Sequence, residues 1–340
     1  VLPYKPVQQK HDTCLPSSVA AVLSVYGMEI DQEELAAVMT YGGTPIWRVQ
    51  HWAAKRGLLT RNFLVTPELA GKLLDADIPF ALSYLQETFA HAVAAIGIDH
   101  HTQTVIIHDP NSHRWTRFLL ERLSANETPY GPHGLVVAPM EQAAAVDAIL
   151  PADWELYRAE QTFWEEVYRQ RRDEVDRIVD ELGQAYSDHA LPLRLQAIRD
   201  TLGGKPGEGL RIQRRLLEQY PDCLPLKNDM LNTVSRLGNT ALAREILGSI
   251  VERSIVPGLS ENNKWQYPPA TYVVRYVDLL RMSDQNLPKA RRLLKKAMRR
   301  EPFFAESLHV LADMFDQELR FEEALLPYRL AADLDPINDH

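Results

Sequence analysis

The spacing of apolar positions changes twice along the chain. Val19, Val22, Leu23 and Tyr26 recur at helical spacing. Asp12 or Thr13 supplies a start, Pro16 falls in the first turn, and Gly27 supplies a stop. Asp31 and Glu34 have capping-box spacing ahead of Leu35, Val38 and Met39. Thr44-Pro45 opens a third helix that ends before Gly57, and Thr66-Pro67 opens a fourth that runs to about Leu74.

From there the spacing becomes that of strands. Short apolar runs at 79–84, 90–98, 103–108, 115–119 and 134–138 are separated by turn chemistry, above all Asp109-Pro110-Asn111-Ser112. Helices followed by an antiparallel sheet predict an α+β domain, not an alternating α/β one.

Beyond residue 140 helical spacing returns and repeats. Pro302 and Pro336 stand 34 positions apart, the tetratricopeptide period. Between them Leu308, Leu311-Ala312 and Phe315 fit the first helix of such a unit, and Ala324, Tyr328 and Ala331 fit the second. The preceding unit keeps Ala290, Leu294, Ala297 and Pro302. Earlier units keep Ala197, Gly209 and Pro221, then Ala243, Leu247 and Ile250, with an irregular insertion at 256–269. The predicted organisation is an α+β domain over 1–140, a connector and first helix over 141–175, and an all-α repeat array over 176–340. The connector itself is the Ala-rich stretch 140–151.

Composition sharpens that division. Residues 1–140 hold 23 charged side chains and residues 141–340 hold 60, so the second part is laced with solvent-facing charge. Eight of the eleven histidines lie in the first part, which therefore has the makings of a polar site. Apolar residues at 45% and charged residues at 24% exclude disorder and a disulfide scaffold. No apolar run is long enough to span a bilayer. The net charge of −9 is shared as −3 and −6 by the two parts, which argues for solubility and against nucleic acid as a partner. No secretory signal is visible, and two cysteines fit a reducing cytoplasm.

Cys14 falls in the first turn of the first helix, where unpaired N–H groups and the helix dipole favour a thiolate. On its own it is as readily a small buried hydrophobe. A nucleophile also needs a base and a group to orient that base. His91 opens the run His91-Ala-Val-Ala-Ala-Ile-Gly97, and Asp109 ends the next strand, in His108-Asp109-Pro110. Neighbouring strands would set Asp109 beside His91, fixing its tautomer. Gln9, five positions before the cysteine, carries an amide for a developing oxyanion, together with the Cys14 N–H.

The stretch Gln9-Lys-His-Asp-Thr-Cys14-Leu-Pro-Ser-Ser-Val-Ala-Ala-Val-Leu resembles the nucleophile motif of the bacteriocin-processing, double-glycine-leader cysteine peptidases and their stand-alone relatives, which are papain-like. The His91 and Asp109 segments resemble that family's histidine and Asp-Pro motifs, in the same order. The resemblance covers roughly residues 1–140. It implies Cys14 as nucleophile, His91 as base, Asp109 as orienting group and Gln9 as oxyanion donor, with adjacent Gln8 as the alternative donor. It implies a papain-like fold, a peptide or protein substrate and no cofactor. The family usually has Gly after the cysteine, where this chain has Leu15, so a narrowed cleft is expected there. Nothing in these residues resembles the membrane or ATP-binding parts of bacteriocin exporters, so coupled export is not implied by this chain.

The remaining polar features read as structural. His100-His101 fit a solvent-facing turn better than a metal site, and no metal ligands are assigned. His11 and Asp12 read as a cap or a cleft wall, Trp47 and Trp52 as core, and Cys223 as structural. The basic runs 289–292 and 295–300 alternate with apolar residues as a helix face does. The repeats are expected to hold a protein partner or present the substrate. Two alternatives stay open: a catalytically inactive peptidase-like binding module, and an acyltransferase in which an amine replaces water, since both reactions share the acyl-enzyme.

Overall fold

The first helix, α1 (Cys14–Ser24), is buried on all sides, every residue from Leu15 to Leu23 lying out of solvent. A helix buried around its whole circumference runs through a core rather than over one. Leu15, Val19 and Leu23 pack with Leu35 and Met39 of α2 (Gln32–Met39) and with Val49 and Trp52 of α3 (Ile46–Lys55). Ala21 and Val22 meet Ala94, Ile96 and Ile106 of the sheet. This computed structural model describes residues 1–10, 13–40, 43–86, 89–112, 114–119, 124, 127–253, 270–282 and 286–335.

The start signals act only in part as expected. Thr66 accepts from the Leu69 N–H at 3.2 Å and opens α4 (Pro67–Asp75). Asp31 caps α2 through the Glu33 N–H at 2.9 Å, an ordinary cap rather than a reciprocal box. Thr13 precedes α1 but makes no cap bond. Its hydroxyl is engaged by the Lys10 main chain and by Gln32.

Among the described residues six strands form one sheet in the order β1-β6-β2-β3-β4-β5. They are β1 (Leu58–Leu64), β2 (Phe80–Gln86), β3 (Phe89–Asp99), β4 (Thr104–His108), β5 (Trp115–Phe118) and β6 (His133–Pro139). The pairs β1–β6, β2–β6, β3–β4 and β4–β5 are antiparallel. Five of the strands match the runs read from sequence. The sixth, β1, is additional, because Arg61 and Asn62 interrupt its apolar pattern. Arg61 is held by a two-pronged bond to Asp147, at 2.8 and 3.0 Å, and stacks 4.1 Å from the Trp154 ring. β1 precedes α4, so helices and strands interleave at this one point. The stretch expected as a plain connector is also structured: a turn of 3₁₀ helix, Met140–Gln142, leads into α5 (Ala143–Ile149), whose Val146 is buried in the sheet core.

The described residues that follow form helices: α6 (Trp154–Tyr168), α7 (Arg172–Ala185), α8 (Ala190–Leu202), α9 (Pro206–Gln219), α10 (Leu224–Arg236), α11 (Thr240–Arg253), α12 (Ala270–Arg281), α13 (Leu287–Arg300), α14 (Ala305–Gln317) and α15 (Phe321–Leu334). Helices adjacent in sequence pack in pairs, α8 on α9, α12 on α13 and α14 on α15. This is a tetratricopeptide-repeat-like array. Small residues sit where it requires close approach: a side chain at Gly209 would strike Thr201 Oγ1 and come within 2.6 Å of the Ala197 carbonyl. Ala290, Ala297, Ala312, Ala324 and Ala331 are buried likewise. Pro336 and the insertion at 256–269 lie outside the described residues.

The chain divides into two compact units, one holding residues 1–85 and 90–230, the other 86–89 and 231–340. In the first, Tyr130, Leu156, Phe163, Ile178, Leu195 and Leu226 share one apolar cluster, so the early helices and the segment leading into β6 have a common core. In the second, Tyr272, Val277, Leu294, Leu308 and Met314 are buried. No described helix is long and apolar enough to cross a membrane.

Candidate active site

Cys14 is the first residue of α1, and the groups that act on its thiol are the His91 side chain and the main chain at Ala92 and Leu15. Burial opposes ionisation of the thiol. The His91 bond, the two N–H groups and the His91 charge outweigh that opposition and hold the thiol below its ordinary pKa.

His91 lies in β3 and is 4% exposed. Its Nε2 is 3.0 Å from Asp109 Oδ1, which leaves the other ring nitrogen for the sulfur. Burial lowers the basicity of the ring, but the bonds to Asp109 and Cys14 and their charges raise it further, up to about 9. Tyr84 of β2 sets its ring edge-on to the imidazole, centroids 5.8 Å apart and planes at 88°. The imidazole is thus fixed in direction by Asp109 and in plane by Tyr84.

Asp109 follows β4 in a turn closed by the Ser112 N–H on the Asp109 carbonyl, at 2.8 Å. Burial raises its carboxyl pKa. The bonds from His91 and from the Asn111 N–H, at 2.9 Å, reverse that and hold the pKa below the usual carboxylate range.

Gln9 is half-buried, while the side chain of Gln8 is exposed. The Gln9 main-chain N–H donates to the Pro110 carbonyl at 2.9 Å, and its Nε2 donates to Asn111 Oδ1 at 2.6 Å. The Gln8 carbonyl is held instead by Gln32 Nε2 at 2.5 Å, and Ser17 Oγ donates to Gln32 Oε1 at 2.6 Å. The segment before the cysteine is stitched down along its length, with Leu2 N–H on the Ile96 carbonyl and Lys5 N–H on Ser24 Oγ, both at 2.8 Å.

The structure therefore brings His91 against Asp109 and sets it to act on the Cys14 thiol, with Gln9 tied to the turn that carries Asp109. Leu15 departs from expectation: it is 4% exposed and packed among Val19, Leu35 and Trp52, so it faces the core and does not narrow a cleft. Tyr84, Asn111 and Gln32 are the neighbours that sequence reasoning did not single out. Asn111 is visible in the sequence only as a turn residue, and Gln32 carries no signal of its own there. Trp47 and Trp52 are buried as expected. His11, Asp12 and His113 lie outside the described residues. His100 bonds Asp75 at 2.8 Å on the surface. Cys223 is 1% exposed, its thiol directed at the Glu127 carbonyl at 3.7 Å, and burial pushes it up to about 11. That is the setting of an inert structural cysteine.

Residues 1–128 match the profile of a family described as Peptidase_C39 like family. Among solved structures, the peptidase domain of Streptococcus ComA, described as a bi-functional ABC transporter involved in a quorum sensing pathway, is 25% identical, with a TM-score of 0.35, over 40% of this chain and 99% of that one. MamA from Desulfovibrio magneticus RS-1 is 15% identical, with a TM-score of 0.42, over 54% of this chain and 97% of that one. No curated protein matches the chain.

Proposed function

We propose that the segment matching the Peptidase_C39 like family is a cysteine peptidase acting on a peptide or protein, with Cys14 as nucleophile. The observation that carries this reading is His91 held by Asp109 at 3.0 Å while it acts on the Cys14 thiol at a helix N-terminus. A thiol held low beside an imidazole held high favours the thiolate–imidazolium pair that attack requires.

In the proposed reaction the Cys14 thiolate attacks the scissile carbonyl. The oxygen takes up the negative charge, and the Cys14 N–H and an amide hydrogen of Gln9 stabilise it. His91 gives its proton to the leaving amine, and the carbon–nitrogen bond breaks to leave a thioester. His91 then takes a proton from water, the hydroxide adds to the thioester, and the acid product leaves as the thiol is restored. Asp109 keeps the ring aimed and stabilises its charge throughout. The repeat array would bind the substrate or a protein partner.

The test is a digest of a peptide library, read by mass spectrometry, with wild type and Cys14→Ala. Cleavage by wild type and none by the variant, at unchanged circular dichroism, is the expected result. Equal cleavage by both would remove Cys14 from the reaction.

A further inference from the structure

We infer that Asn111 is a positioning residue that aims the oxyanion-stabilising amide of Gln9. This rests on Cys14 being the nucleophile. Gln9 and Asn111 are 102 positions apart, yet Gln9 Nε2 donates to Asn111 Oδ1 at 2.6 Å. A primary amide carries two N–H groups. Binding one of them to Asn111 fixes the direction of the other, which otherwise sweeps with side-chain rotation. The remaining hydrogen is the one available to an oxyanion.

The rest of the turn supports this role. The Asn111 main-chain N–H holds Asp109 Oδ1 at 2.9 Å, the same oxygen that receives His91. The Pro110 carbonyl holds the Gln9 main chain at 2.9 Å. Asp109-Pro110-Asn111 is thus a single mount for both halves of the chemistry. The carboxylate that orients the base and the amide that meets the oxyanion are referenced to three consecutive residues. Among the described residues Gln9 Oε1 is buried with no hydrogen-bond partner, so no bond from them on that oxygen competes in aiming the amide. Stabilisation by a donor depends on its being aimed beforehand at the charge that develops. The Asn111 side chain supplies that aim, while its main chain serves Asp109 independently.

That separation makes the inference testable. Asn111→Ala removes the side-chain bond to Gln9 and leaves the main-chain bond to Asp109. Two small probes report on the two halves. Iodoacetamide alkylates the thiolate without forming an oxyanion. p-Nitrophenyl acetate acylates it through one: the sulfur–carbon bond forms, the ester carbon–oxygen bond breaks, and p-nitrophenolate leaves. Asn111→Ala should slow acylation about tenfold, a fraction of the loss typical for a whole oxyanion donor. Its alkylation rate and the pH profile of alkylation should stay within about twofold of wild type. Asn111→Asp, which keeps an oxygen acceptor, should restore acylation. In a Gln9→Ala background, Asn111→Ala should add nothing. Equal slowing of both probes, or additivity with Gln9→Ala, would overturn the positioning role and leave Asn111 a structural turn residue. A wild-type protein acylated no faster than Cys14→Ala would instead defeat the peptidase reading itself.

Discussion

His91 Nε2 stands 3.0 Å from Asp109 Oδ1, on a contact set by strand register. Ala94 of β3 lies opposite His108 of β4 in antiparallel pairing. Asp109 is the next residue past His108, and His91 precedes Ala94 by three, so the two side chains meet on a diagonal at the end of the strand pair. Because side chains alternate between faces, a slip of one residue would put the carboxylate and the ring on opposite faces. The pairing of the sheet therefore guards the electrostatics of the site.

The first consequence concerns the thiol. Cys14 should be alkylated by iodoacetamide at pH 6, where an ordinary thiol is protonated, because the His91 bond holds its pKa down. Cys223, buried and at about 11, should stay unmodified until the protein unfolds. Asp109→Asn removes the charge that favours the imidazolium. Loss of such a partner typically moves a pKa by one unit or more, so alkylation at pH 6 should slow about tenfold. Mass spectrometry of peptides after timed alkylation measures both sites. An unchanged rate in Asp109→Asn would show that the carboxylate does not govern the pair.

The second consequence concerns pH. Catalysis of peptide cleavage needs the thiolate and the protonated ring together. The ring keeps its proton until pH passes about 9, so the alkaline limb of the rate profile should fall there rather than near the ordinary histidine value. The acid limb should lie below the ordinary thiol range. For stability, the sign follows from a folded pKa raised from 6.5 to about 9. The contribution of His91 is fully present below 6.5 and is lost as pH rises through about 9. An alkaline limb near 7 would contradict the bonded arrangement.

A third expectation lies away from the thiol. Glu127 is 5% exposed and accepts the Leu85 N–H at 3.0 Å. Burial pushes its carboxyl from 4.5 up to about 7, against the Leu85 bond and the attraction of Arg194. A raised carboxyl pKa means that folding favours the protonated form. Its stabilising effect is present below 4.5 and disappears as pH rises through about 7. Glu127→Gln keeps the acceptor without the charge. It should match wild type at pH 4.5 and exceed it by about 2–3 kcal/mol at pH 8. Urea unfolding at the two pH values decides this, and a variant no more stable at pH 8 would refute it.

What could be read from the sequence was set by locality. Cys14 opens a helix marked by Pro16, His91 lies near the start of an apolar run, and Asp109 ends a strand before Pro110, so their order is visible in the sequence. The bond between Gln9 and Asn111 spans 102 positions and has no local signature. β1 escaped because the charge of Arg61 is offset by Asp147 and Trp154, partners far along the chain. The burial of Leu15 followed from α1 being enclosed on every side, which a helical period alone does not reveal. The repeat unit is legible because Ala312, Ala324 and Ala331 are buried within one local helix pair.

The last prediction tests packing in the sheet that carries the site. Phe63 of β1 lies directly opposite Gly134 of β6. Its ring covers the glycine so closely that an added Cβ would fall within the ring edge, 2.9 Å from Cε2 and nearer still to Cζ and Cε1. The ring has no room to withdraw, being fully buried and packed against Phe80 at a centroid distance of 5.4 Å. Gly134→Ala should therefore destabilise the fold by about 1–3 kcal/mol through overpacking, although alanine ordinarily suits a strand no worse than glycine. Phe63→Leu alone should also be destabilising, by leaving space. Combined, the added methyl occupies part of the space the ring gives up, so the double variant should be more stable than the sum of the two losses predicts, by about 1 kcal/mol. Urea midpoints for the four proteins give the coupling directly. A neutral Gly134→Ala, or strict additivity, would mean that the ring does not press on the glycine.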